Sequence, residues 1–365
     1  MLGISIYPEY ENEKDTIEYI KLASKYGFKR VFTCLLSVNE SKDKITEKFK
    51  KIISVAREND MEVIFDVAPT VFKQLDISYD DLSFFHKLGA TGIRLDEGFD
   101  GLKEALMTYN KYDLDIEINM SNGTKYVDNI LSYSANKKKL IGCHNFYPME
   151  FSGLSLEHFE KTSLQFKELG IRSAAFVSSS RANHGPWPVM DSGLCTLEMH
   201  RNLPITTQVK HHLMMGLVDD IIIANAFASE EELKEISEIK CPTFEIKFNP
   251  NVTDIEKKIV LEELHFNRGD ISEYLIRSTN SRIKFKNENF KPENTSEIIK
   301  KGEIIICNNN FERYKGELQL IKKDHDDVKR RKNIVAKIAE HELFLLDYLK
   351  PWSLFKFVEI KKKKI

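Results

Sequence analysis

Residues 89–96 read Gly-Ala-Thr-Gly-Ile-Arg-Leu-Asp. Gly89 is placed to close a helix, because glycine accepts the left-handed conformation that ends one. Ile93 and Leu95 then alternate with Arg94 and Asp96 in the two-residue period of a strand. The same punctuation recurs at Gly27 ahead of Phe28-Lys29-Arg30-Val31, at Gly170 ahead of Ile171 and at Gly216 ahead of Leu217. Outward from this segment, strand-like runs fall at 3–8, 30–36, 62–69, 92–96, 115–121, 140–147, 172–178 and 219–226, with stretches of helical spacing such as Phe49-Ile52-Ile53-Ala56 between them. Eight parallel β/α units within residues 1–240 predict a closed (β/α)8 TIM barrel. An open doubly wound sheet commonly has fewer strands and a glycine-rich first turn, and no Gly-x-Gly-x-x-Gly follows the first run.

Past Lys240 the pattern changes to strand-like runs without regular helices between them: 243–248, 271–278, 303–307, 316–321, 334–339, 343–346 and 355–360. These predict a small β-rich domain over 241–365, an antiparallel barrel or sandwich, with the boundary at Cys241-Pro242. The closing Lys361–Lys364 run reads as a solvated tail.

The 365 residues are 42% hydrophobic and 30% charged with a formal net charge of -2, a soluble globular balance that argues against nucleic acid or an anionic membrane as partner. No window reaches the roughly 18 consecutive apolar residues of a membrane span. The amino end Met1-Leu2-Gly3-Ile4-Ser5-Ile6 has no basic leader or cleavage site. Five scattered cysteines form no Cys-x-x-Cys pair. Together these features predict a cytoplasmic protein.

Alternation also says which side chains enter the barrel. With the apolar partners facing the helices, Arg94 and Asp96, Glu117 and Asn119, Asp66, and Tyr7 and Glu9 point inward. Barrels fill their interior with branched apolar residues, and a buried carboxylate is costly unless paired, so this acidic set needs a reason. One reason is an internal salt-bridge layer of Arg94 with Asp66 or Asp96. The other is an active site, since the carboxyl ends of the strands carry the chemistry in this fold. His144 reads as acid, base or core histidine. Asn145 follows it. Ser178 and Asn225, after strands seven and eight, are phosphate candidates or members of a plain serine-rich turn. Trp187, framed by prolines, either stacks on a sugar or packs its loop. His200 with His211-His212 lacks the His-x-x-x-His step of a zinc site, whereas Asp66, Asp96 and Glu117 would suit magnesium or manganese. The reading assigns no cofactor and no metal.

The segments Gly3-Ile4-Ser5-Ile6-Tyr7-Pro8-Glu9, Phe32-Thr33-Cys34-Leu35-Leu36, Asp66-Val67-Ala68-Pro69, Gly92–Asp96, Gly142-Cys143-His144-Asn145-Phe146-Tyr147-Pro148 and the block from Gly193 to Arg201 resemble the 6-phospho-N-acetylmuramidase family of the MupG type. The resemblance extends through Gly316-Glu317-Leu318-Gln319 and Glu342–Tyr348. It implies a barrel followed by a cyclophilin-like domain. It also implies hydrolysis of the phosphorylated disaccharide N-acetylmuramic acid 6-phosphate-β-1,4-N-acetylglucosamine in peptidoglycan recycling.

Glycoside hydrolysis needs an acid and a second carboxylate. On the sequence, Asp96 and Glu117 are the expected working pair, Asp66 and Glu9 tune them or bind hydroxyls, and Arg94 orients a carboxylate or meets a substrate anion. Tyr7, Asn119, His144, Asn145, Ser178, Trp187 and Asn225 are the expected substrate contacts. The second domain either closes over the mouth, lending Arg277, Arg282 and Asn309 to the phosphate, or serves homodimer contacts. The rival classes are a metal-dependent lyase or aldolase acting on a sugar phosphate and a non-catalytic sugar-phosphate binding protein.

Overall fold

The structure, a computed structural model, describes residues 1–35, 42–187 and 192–360. Leu36, Pro188 and the Lys361–Lys364 run of the sequence reading lie outside the described residues. The chain divides into two compact units, Met1–His212 with Gly216–Glu238, and Leu213–Met215 with the segment from Ile239 onward.

In the first unit, β1 (Leu2–Ile6), β2 (Arg30–Cys34), β3 (Glu62–Val67), β4 (Gly92–Leu95), β5 (Asp115–Asn119), β6 (Leu140–Cys143), β7 (Ser173–Val177) and β8 (Asp220–Ile223) close in sequence order into a parallel barrel. Its last seam pairs Gly3 of β1 with Ile222 of β8. The helix Glu13–Lys25 illustrates the outer ring. The Asn12 side chain accepts from the Lys14 N–H at its start, and Thr16, Tyr19, Ile20 and Ala23 form one buried stripe at helical spacing. Full burial of a side chain such as Ile20 stabilises by roughly 1.5–3 kcal/mol. Gly89 ends the helix Ser83–Leu88 at φ 92°, the left-handed cap expected from the sequence. Gly92 has a different reason to lack a side chain: a Cβ there would stand 2.8 Å from the carbonyl oxygen of Asp115 on the next strand.

Midway up the interior, Phe32, Cys143, Ala174, Phe176, Ile222 and Ala224 pack as an apolar layer, with Phe32 and Phe176 edge to face at 5.1 Å. At the strands' amino ends, buried Arg30 binds Glu117 and, at 2.6 Å, Asp220, while Arg172 reaches Asp220 at 2.7 Å. An ionic layer therefore lies toward the strands' amino ends, away from the carboxyl rim.

The second unit holds β9 (Thr243–Phe248), β10 (His265–Phe266), β11 (Leu275–Ser278), β12 (Ile298–Ile299), β13 (Glu303–Cys307), β14 (Leu318–Ile321), β15 (His325–Asp326), β16 (Lys332–Ile338) and β17 (Leu354–Glu359). Seven of them form one sheet in the order β10-β17-β9-β16-β13-β14-β11, antiparallel apart from the β17–β9 pair. Phe244, Ile246, Ile304, Leu318, Leu320 and Phe355 build its core. Its two edges meet through His265 Nδ1 and Ser278 Oγ at 2.9 Å, so the sheet curls toward closure.

Two expectations for this unit are corrected. Residues 343–346 are not a strand but part of the 3₁₀ helix Glu340–Tyr348, where Leu345 and Leu346 are buried side by side and the neighbouring Glu342 carboxylate takes the Glu245 N–H at 2.6 Å. A four-residue apolar run lacks the alternation that would make it a strand. A regular helix also lies between strands, Asp254–Glu262, started by a capping box of Thr253 and Glu256.

Candidate active site

Asp66, Arg94 and Glu117 are register partners on β3, β4 and β5, so all three side chains enter the barrel. Their depths differ. Arg94, 2% exposed, sends Nη1 to Oδ1 of Asp66 at 2.6 Å and to Oδ1 of Asp96 at 2.9 Å, and Nη2 to Oδ1 of Asn145. Asp66 is almost enclosed, while the Asp96 side chain is 35% exposed at the rim. Burial is the main cause that pushes the Asp66 carboxyl up to about 7. Arg94 opposes it, and the charges of Asp96 and Glu117 add to it.

Glu117 is not brought to the rim with Asp96. It is fully buried and ion-paired with Arg30 in the ionic layer, and its Oε1 has no hydrogen-bond partner. Glu9 sits half-buried in the turn after β1. Tyr7 is buried and donates its hydroxyl to the carbonyl oxygen of Ala224, bracing β1 against the end of β8. Asn119 accepts from Ser121 N–H at 2.9 Å and donates to the Asp96 carbonyl at 3.3 Å, which steadies the turn carrying Asp96.

Of the other expected contacts, the structure seats several in the scaffold. His144 is fully buried, its Nδ1 3.3 Å from Ser121 Oγ and its Nε2 2.9 Å from Ser163 Oγ, and burial pushes its pKa down to about 3. It is a neutral core histidine. The Ser178 hydroxyl takes the Leu194 N–H at 2.9 Å and lies 3.4 Å from Asn225 Oδ1; the Asn225 amide donates to the carbonyls of Ser179 and Ala182. Both side chains tie the loops after β7 and β8 together. Trp187 stays 45% exposed and meets Phe146 edge-on at 6.4 Å, while Phe146 rests on Phe32 and Phe176 in the barrel. Arg277 and Arg282 both bind the buried Glu317 within the second unit, and Asn309 binds Asn289 and Phe290 there.

Tyr147, Glu198 and Arg201, which lie in the quoted segments without an assigned site role, belong to the loops after β6 and β7. Half-buried Tyr147 lies within electrostatic range of Arg94 and Asp96. Burial is the main cause that raises its phenol, and a Ser121 hydrogen bond lowers it in part. Glu198 and Arg201 fasten the loops after β6 and β7. Arg201 binds Glu198 at 2.6 Å and the carbonyls of Tyr147 and Ser192, while Glu198 takes the N–H groups of Phe151 and Gly153. That pairing holds Glu198 down to about 2. Arg30 was available to the same alternation argument, since it precedes inward Phe32 by two residues. Among the described residues, one trio brings three candidate metal-ligand atoms within 4.8 Å, Glu245, His341 and Glu342 of the second unit; Asp66, Asp96 and Glu117 form no such group. Among the described residues no helix is long and apolar enough to cross a membrane.

Two carboxylates gripped by one arginine at the carboxyl rim of a closed parallel barrel define a (β/α)8 barrel protein with an acidic site where such barrels carry chemistry. Family descriptions sharpen this. The chain matches 6-phospho-N-acetylmuramidase, N-terminal, over residues 2–238 and 6-phospho-N-acetylmuramidase, C-terminal, over residues 242–358. It belongs to the 6-phospho-N-acetylmuramidase family. It is similar to a crystal structure of an uncharacterized B. cereus protein, 52% identical over 98% of this chain and 99% of that one, with a TM-score of 0.90. A conserved Enterococcus faecalis protein of unknown function is 26% identical over 98% and 96% of the two chains, with a TM-score of 0.75. No curated protein matches the chain.

Proposed function

We propose that this chain hydrolyses the β-1,4 bond between N-acetylmuramic acid 6-phosphate and N-acetylglucosamine, with Asp66 as general acid and Asp96 as the second carboxylate. The observation that carries this reading is the shared grip of Arg94 on the two acids. It replaces the Asp96 and Glu117 pair expected from the sequence, because Glu117 is committed to Arg30 below the rim. An acid that donates its proton to the leaving oxygen must still hold it near neutral pH, and Asp66, pushed up to about 7, does so. Asp96, the more exposed of the two, is open to the anomeric carbon. Trp187 on its Phe146 support offers an apolar face to a sugar ring.

Cytoplasmic peptidoglycan recycling is the setting this activity implies, and the five unbridged cysteines fit a reducing compartment. A cyclophilin-like description of the second unit agrees with a curled sheet whose edges approach, and carries no isomerase activity by itself. The test is incubation with the 6-phosphorylated and the unphosphorylated disaccharide, followed by mass analysis. Cleavage of the phosphorylated form alone is expected. Both left intact would remove the hydrolase reading, and equal cleavage would remove the phosphate selectivity.

A further inference from the structure

The interior of the barrel carries a column of alternating charge: Asp66 and Asp96, then Arg94, then Glu117, then Arg30, then Asp220. Three polar atoms in this column are buried without a hydrogen-bond partner: Nε of Arg94, Oε1 of Glu117 and Nε of Arg30. An unmet buried donor or acceptor costs roughly 1–3 kcal/mol, more when it is charged. Two donors flank one acceptor here, and Arg94 and Glu117 are direct register partners on β4 and β5. An enclosed water makes 2–4 hydrogen bonds in such places, enough to serve one acceptor and a donor beside it.

We infer that Glu117 is a positioning residue for the rim acids: through an enclosed water joining its Oε1 to Nε of Arg94, it holds the guanidinium that Asp66 and Asp96 share. The inference rests on the acid pair proposed above. It gives a role to a carboxylate that touches no substrate and whose burial the ion pair with Arg30 alone does not explain, since that pair uses only Oε2. The arrangement has an electrostatic consequence. Arg94 divides its charge between the rim acids above and Glu117 below, so Asp66 feels less than a full positive charge. The groups facing Asp66 are Tyr7 just after β1, Cys34 of β2, Arg94 and Asp96 from β4 and its turn, Glu117 of β5 and Cys143 of β6. Of these, Glu117 is the one ion-paired into the ionic layer. Neutralising Glu117 while keeping its shape would leave Arg94 wholly to the rim, and Asp66 would lose its proton at lower pH.

The test compares full-length wild type, Glu117→Gln and Asp220→Asn. Asp220 is a control because it also binds Arg30 but stands at the other end of the charged column from Asp66. Two readouts apply: the pH dependence of disaccharide hydrolysis, and the titration of the Asp66 carboxyl carbon by NMR, which needs no turnover. Glu117→Gln is expected to move the alkaline limb of activity and the Asp66 midpoint downward together, by on the order of one pH unit. Asp220→Asn should leave both in place. Unmoved values in Glu117→Gln, or equal shifts in both variants, overturn the inference. Wild type that hydrolyses nothing would sink the function instead, and the NMR midpoint would still decide the role of Glu117. Should Glu117→Gln not fold, a high-resolution crystal structure of wild type decides, since an ordered water must lie within hydrogen-bond reach of both Glu117 Oε1 and Arg94 Nε.

Discussion

Asp66 and Asp96 accept from the same hydrogen-bond donor, Nη1 of Arg94, so their Oδ1 atoms stand no farther apart than its two bond lengths, 2.6 and 2.9 Å, laid end to end. Retaining glycosidases place their carboxyls about 5–5.5 Å apart, and inverting ones about 6.5–9.5 Å to admit a water. The close pair calls for retention. Asp96 would attack the anomeric carbon as the bond to the leaving oxygen breaks and Asp66 gives that oxygen its proton. Water, deprotonated by Asp66, would then displace Asp96. Proton NMR of the first turnovers should show the β anomer of the phosphorylated sugar ahead of mutarotation; an α product would rule out this pair.

Substitution of the two acids separates their roles. Asp66→Asn should lower kcat by about 10²–10⁴-fold. The loss should shrink with an activated leaving group that needs no proton. Asp96→Asn should be inactive on both substrates. Equal rescue of both variants by the activated substrate would contradict the assignment.

The pH profile follows from the raised Asp66. An acid must be protonated to act, so activity should fall as pH rises through about 7, the value to which burial and the neighbouring negative charges push it. In Asp66→Asn the residual rate should show no such limb. A wild-type rate that is flat from pH 6 to 9 would remove Asp66 as the acid.

The ionic layer predicts a stability effect away from the rim. Arg30→Met should cost about 3–5 kcal/mol, because it leaves Glu117 buried without its cation. Urea unfolding measures this directly. A loss below about 1 kcal/mol would mean the layer relaxes by admitting solvent.

Some of this was legible in the strands themselves. Gly89 and the alternation around Arg94 carry the barrel, and the inward direction of Asp66, Arg94 and Glu117 follows from one apolar face. Alternation tells which way a side chain points but not how high it stands, because tilted strands are staggered and height comes from register. Glu117 therefore reads like a rim residue although Arg30 holds it below. Arg30 itself, at the first position of its strand, looks like a solvated flank. Ser178, Asn225 and His144 carry chemistry in their side chains that the fold spends on Leu194, Ala182 and Ser163, partners no local pattern reveals.

Histidine burial gives the last prediction. His200, His211 and His212 pack with ring centroids of 5.0 Å from His200 to each of the other two, and His212 lies 5.3 Å from Phe159, which in turn packs on His144. Burial lowers all four, His211 to about 4 and His144 to about 3. An unfolded histidine titrates near 6.5. Depressed folded values mean that the stability they contribute is complete above about pH 6.5 and is lost as pH falls toward 4. Each neutral histidine steepens that loss by up to about 1.4 kcal/mol per pH unit. Neither ring nitrogen of His212 has a hydrogen-bond partner, so a phenyl ring can take its place without leaving a polar group unmet. His212→Phe should therefore unfold with a shallower dependence on pH between about 6 and 4.5, by close to one proton, when urea midpoints are followed down the series. Carboxylates contribute equally to both proteins, so the difference isolates the imidazole. An unchanged slope would mean that His212 is protonated in the folded chain.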